Sequence, residues 1–114
     1  MALHFFDPGQ LRTPMELQSC IEVPDGQGGV HKDWQTIAEI FAHVEPIGSI
    51  SHLRARYKEQ KVSHRVILRY RDDINLDLRF QRGSRIFAIR GIHDLDESKR
   101  YLICKCEETT RPSP

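Results

Sequence analysis

From Met15 onward the chain alternates apolar and polar side chains in short runs. Met15, Leu17, Ser19 and Ile21 fall on one side and Glu16, Gln18, Cys20 and Glu22 on the other, which predicts a half-buried first strand. Pro24 to Gly29 (Pro-Asp-Gly-Gln-Gly-Gly) is a turn signal, because glycine accepts positive φ without steric cost. Trp34 to Val44 is apolar at Trp34, Ile37, Ala38, Ile40, Phe41, Ala42 and Val44; helix and bent strand both fit, and the Ile40, Ala42, Val44 alternation before Pro46 favours a strand. Between Gly48 and Lys61 the period changes. Ile50, Leu53 and Tyr57 recur at helical spacing with Arg54, Lys58 and Lys61 on another face, predicting a short amphipathic helix capped by Ser49 or Ser51.

Alternation then returns. Val66, Leu68 and Tyr70 alternate with Arg65, Ile67 and Arg69 in a strand that Asp72-Asp73 ends; Leu76, Leu78 and Phe80 begin another, and a turn around Gly83 joins it to a strand over Ile86 to Ile92. His93 to Ser98 reads as an acidic loop, and Tyr101 to Cys106 as a last strand with Leu102, Cys104 and Cys106 on one face. Pro8, Gly9 and Pro14 make residues 1–14 an N-terminal arm, and residues 109–114 a flexible tail. The sum is mainly β: one domain over residues 1–114, a small antiparallel β-barrel of five to six strands with one short α-helix in a long inter-strand insertion.

Composition adds two constraints. At 114 residues, 39% hydrophobic and 29% charged, the chain holds one modest core. The net charge of +1 argues against a globally basic nucleic-acid binder, yet residues 52–71 hold seven basic side chains against Glu59, a local +6 that leaves the remainder at −5. The opening Met-Ala-Leu-His-Phe-Phe-Asp-Pro has neither the basic start nor the apolar run of a signal peptide, and no apolar stretch is long enough to span a bilayer, so use in the cytoplasm, or in a particle assembled there, is expected.

Candidate chemistry is sparse. Asp72 and Asp73 are adjacent, so on a strand they would face opposite ways, and a turn explains them. His64 has no nucleophile placed beside it by a known catalytic spacing. Cys104 and Cys106 share a strand face that Cys20 and His93 would have to join to hold zinc; small buried hydrophobes are the simpler reading. Neither catalytic residues, nor a metal, nor a cofactor is expected.

The ordered features resemble the head-tail joining proteins (head completion, adaptor or stopper) of long-tailed bacteriophages and phage-like particles. They are Pro8-Gly9-Gln10-Leu11-Arg12, Val23 to Val30 with Gly28 and Gly29, Trp34, Ala42 to Pro46, Ser63 to Arg71 with Arg69 and Tyr70, Arg79, Gly83 and Phe87-x-Ile89. Many family members open the helix on an acidic residue, where Ser49-Ile50-Ser51-His52 stand here. The resemblance implies a virion protein in a ring of copies, dodecameric to match the portal, between a portal-side adaptor and a tail-side completion or terminator protein. It also implies an inward loop that helps close or line the DNA channel. Arg54, Arg56, Lys58 and Lys61 are then candidates for contact with a neighbouring subunit, Asp94, Asp96 and Glu97 forming the acidic counterpart. Sequence-independent contact with packaged DNA is the alternative for the basic face. A second reading of the whole chain is a small nucleic-acid-binding barrel, against which most of its nine aromatics fall at core-like positions, among them Trp34, Phe41, Tyr70, Phe80 and Phe87.

Overall fold

The computed structural model describes residues 7–47 and 62–110. Six strands, β1 (Thr13–Pro24), β2 (Val30–Pro46), β3 (His64–Arg69), β4 (Arg79–Arg82), β5 (Arg85–Asp94) and β6 (Tyr101–Thr110), close into an antiparallel barrel in the order β1-β2-β3-β6-β5-β4. The mainly β, small-barrel expectation therefore holds, and the predicted helix at 48–61 lies outside the described residues.

Alternation builds the core. Met15 and Leu17 of β1, Ile40 and Ala42 of β2, Val66 and Leu68 of β3, Phe80 of β4, Phe87 and Ile89 of β5 and Leu102, Cys104 and Cys106 of β6 point inward and form one buried cluster with Leu78. Full burial of a large aliphatic or aromatic side chain contributes about 1.5–3 kcal/mol, so these positions dominate stability. Two irregularities bend the barrel. Between Leu17 and Gln18 the pairing with β2 passes over Ile37, and in β5 the register with β6 skips between Ile89 and Gly91.

The strands are longer than the alternation alone marks. Thr13 and Pro14 already belong to β1, pairing with Ala42 and Phe41. His93 and Asp94 end β5 instead of opening a loop, and Thr109 and Thr110 continue β6 opposite Ile86 and Arg85. Leu76 lies outside any strand and is 58% exposed: Asn75 Oδ1 accepts from the Asp77 amide and the Asn75 carbonyl from Leu78, so a turn holds the segment until β4 begins at Arg79. Phe41 is 61% exposed, because Ile40 and Ala42 take the inward positions. Trp34 is half-buried on the outer face, where the Arg79 guanidinium lies 4.0 Å from its ring centroid. Arg79 also donates to Gln18 Oε1 at 2.8 Å.

Strand lengths are unequal, with a consequence for shape. The four residues of β4 meet β1 only over Glu16 to Gln18, and β3 meets β2 only over Ala42 to Pro46. Beyond those rungs, Ser19–Pro24 and Val30–Gln35 are paired with each other alone among the described residues, as a two-stranded hairpin standing off the barrel.

Candidate functional site

The insertion leaves and rejoins the barrel at one point. The Ile47 amide donates to the Ser63 carbonyl at 2.8 Å, and the Ser63 amide to the Cys106 carbonyl at 2.8 Å. Ser63 Oγ accepts from the Glu108 amide at 2.7 Å and lies 2.9 Å from His64 Nδ1. His64 Nε2 sits 3.7 Å from Glu108 Oε1, while Arg85 donates to both Glu108 oxygens at 2.7 and 3.1 Å. Below them Phe87 receives the His64 ring edge-on, centroids 5.2 Å apart, and carries the Arg85 guanidinium at 4.9 Å. Three strands, β3, β5 and β6, are thus fastened together beside the root of the insertion.

Electrostatics follow from that packing. Burial pushes His64 below its ordinary value, opposed by the Glu108 charge and assisted by Arg85. The hydrogen bonds from Arg85 hold Glu108 below the usual carboxylate range. Sequence reasoning found no nucleophile for His64; the structure supplies Ser63, the residue just before it, which no catalytic spacing would flag. Serine, histidine and glutamate in contact are the residue set of a hydrolytic triad, but the roles are misassigned. The hydroxyl is already an acceptor for a main-chain N–H, and the carboxylate is engaged by Arg85 and too far from the imidazole to orient it by a hydrogen bond. The cluster is a clasp.

The other sequence candidates are dispersed. Arg54, Arg56, Lys58 and Lys61 lie outside the described residues. Asp94 ends β5 and both its oxygens accept from the Lys99 amide at 3.2 Å, closing the loop that contains the 3-10 turn Leu95–Glu97; Glu97 is exposed there, and Asp96 shares that turn. Gly28 and Gly83 have φ of +85° and +59° in the β1–β2 and β4–β5 turns, and a Cβ on Gly29 would stand 2.8 Å from Asp25 Oδ2. Pro46 closes β2 opposite His64, Arg69 ends β3 opposite Tyr101, and Tyr70 packs against the core while its amide donates to the Arg100 carbonyl. Asp73 is held by Arg71 through two hydrogen bonds of 2.9 and 2.8 Å and sits in the expected turn. Cys104 and Cys106 are core residues, whereas Cys20 is opposite Trp34 on the outer face, so the three are not brought together.

A small closed barrel whose polar side chains fasten strands, with catalytic residue types engaged in structure, defines a structural module. The sequence profile of the phage head completion proteins matches residues 6–109, and the chain belongs to that family, one of structural virion proteins. Among solved structures, a chain from the virion of a native gene transfer agent particle is 25% identical, with a TM-score of 0.60 over 89% of this chain and 97% of that one. Protein SF1141 from Shigella flexneri 2a shares the fold at a TM-score of 0.71 and 22% identity, over 94% of this chain and all of that one. No curated protein matches this sequence.

Proposed function

We propose that the chain is a neck component: copies form a ring that joins the DNA-filled head, on the portal or adaptor side, to the tail, and that helps close or line the DNA channel. The family match over residues 6–109 carries this reading, and the likeness to a chain of a gene transfer particle supports it. A modest core suits a subunit that gains stability from its neighbours. The insertion, rooted at the Ile47–Ser63 hydrogen bond, brings Arg54, Arg56, Lys58 and Lys61 to the next subunit, with Asp94, Asp96 and Glu97 as counter-charges. The ring assembles in the bacterial cytoplasm, between a portal-side adaptor and a tail-side completion or terminator protein.

Electron microscopy of particles from a host deleted for this gene tests the role. Filled or leaking heads lying apart from complete free tails are expected; normal tailed particles would remove the joining role. Charge reversal at Arg54 and Lys58 then separates the two uses of the insertion. Impaired ring assembly is expected from a subunit contact, whereas normal rings that leak DNA would assign the cations to the channel.

A further inference from the structure

The hairpin of β1 and β2 combines three properties that a solvated ribbon does not need. Its edges are open: among the described residues, Ser19–Pro24 of β1 and residues 30–41 of β2 have a strand on one side only. Such edges present unpaired N–H and C=O groups to another chain. The six rungs beyond the barrel reach outward by about 20 Å.

Apolar side chains are exposed on both faces of that ribbon. Of the six large hydrophobics exposed among the described residues, four are on β1 and β2: Ile21 at 43% and Val30 at 58% on the projecting ribbon, and Ile37 at 43% and Phe41 at 61% where β2 runs along the barrel. The register puts Val30 and Phe41 on the outer face with Pro24 and Pro14, and Ile21 on the opposite one with Asp33; Ile37 is the bulge residue. Single exposed hydrophobics are normal, but Ile21 and Val30 on a ribbon with open edges offer a partner an apolar contact on either face.

Charge identifies the occupant. The projecting residues 19–35 hold three acids (Glu22, Asp25 and Asp33) against Lys32, a net of −2; since the whole chain is +1, the remainder is +3. Hairpin against hairpin would oppose two like charges, whereas hairpin against the rest of another copy joins opposite ones. We infer that the acidic β1–β2 hairpin of one copy seats, head to tail, on the non-hairpin surface of the next copy of this chain. Such a contact is heterologous: different patches meet, and repetition closes a ring when the rotation allows. This deepens the ring reading, and it is tested on the purified chain, so its failure is distinguishable from a failure of the joining role, which microscopy reads separately.

The test places a photo-crosslinking residue at Val30 of the full chain and follows sedimentation across protein and salt concentration. The expected result is reversible association that weakens with salt, with Val30 crosslinked to a peptide outside residues 13–46 of a second copy. Glu22→Lys with Asp33→Lys weakens that association about tenfold or more with melting unchanged, as both residues are exposed. Ile21→Ser with Val30→Ser, which keeps the charge, weakens it as well. A chain that stays monomeric throughout, crosslinks confined to hairpin against hairpin, or association unaffected by either pair of substitutions would overturn the proposal.

Discussion

At the scale of single residues, burial decides which polar groups react. The Cys104 thiol is pushed up to about 12 by desolvation and Cys106 is raised by the same cause, both side chains lying in the core, while Cys20 lies half-buried on the outer face. An aromatic disulfide reagent is therefore expected to modify Cys20 in the native protein and the other two only on unfolding, read from absorbance with and without denaturant. Burial also sets the acid response of the clasp. Because His64 titrates below its ordinary 6.5 when folded, the unfolded chain takes up the proton first as pH falls, and stability declines on descending through 6.5. Glu108, held below its ordinary 4.5, contributes stability above that value that is lost as pH falls through its lower folded one. Thermal melts should show a decline between about pH 7 and 5.5 that is shallower in His64→Gln, and a second, steeper loss in stronger acid.

Among the elements, the hairpin is the one whose stability is its own. Asp25 Oδ1 accepts from the Gln27 and Gly29 amides at 2.8 and 3.1 Å, fixing the tip, and Gly28 sits in the left-handed region. Gly28→Ala costs about 1 kcal/mol through its φ, and Gly29→Ala displaces the Asp25 carboxylate. Either change should speed amide exchange in residues 19–24 and 30–35 while leaving barrel amides and the melting temperature nearly unchanged. These strands were legible from alternation and turn glycines, but their extent was not. Thr109 and Thr110 carry no apolar signal, and only the ladder to Arg85 and Ile86 makes them a strand. Phe41 reads as core because Ile40, Phe41 and Ala42 are all apolar; backbone alternation across the pleat, which composition cannot show, turns the middle one outward. The clasp was illegible for a different reason, as Ser63, His64, Arg85 and Glu108 meet only once β3, β5 and β6 are side by side.

For the whole molecule, closure rests on its smallest strand. β4 alone bridges β1 and β5, and Phe80, fully buried, is its contribution to the core. Phe80→Ala should cost about 3–5 kcal/mol in urea unfolding, a large share of the 5–15 kcal/mol typical of a domain. The charge pattern was visible at this scale in part: the basic stretch at 52–71 stands out in the sequence, whereas Glu22, Asp25 and Asp33 acquire meaning only when residues 19–35 fold into one projecting ribbon. The hydrogen bond between Ile47 and Ser63 has an evolutionary corollary. It makes the barrel a socket whose two contacts are already adjacent, and lengthening a flexible loop twofold costs only about 0.6 kcal/mol. Whatever is plugged between those positions can be exchanged, shortened or extended with little effect on the scaffold, so descendants of one barrel can diverge in what they carry there while the housing stays the same.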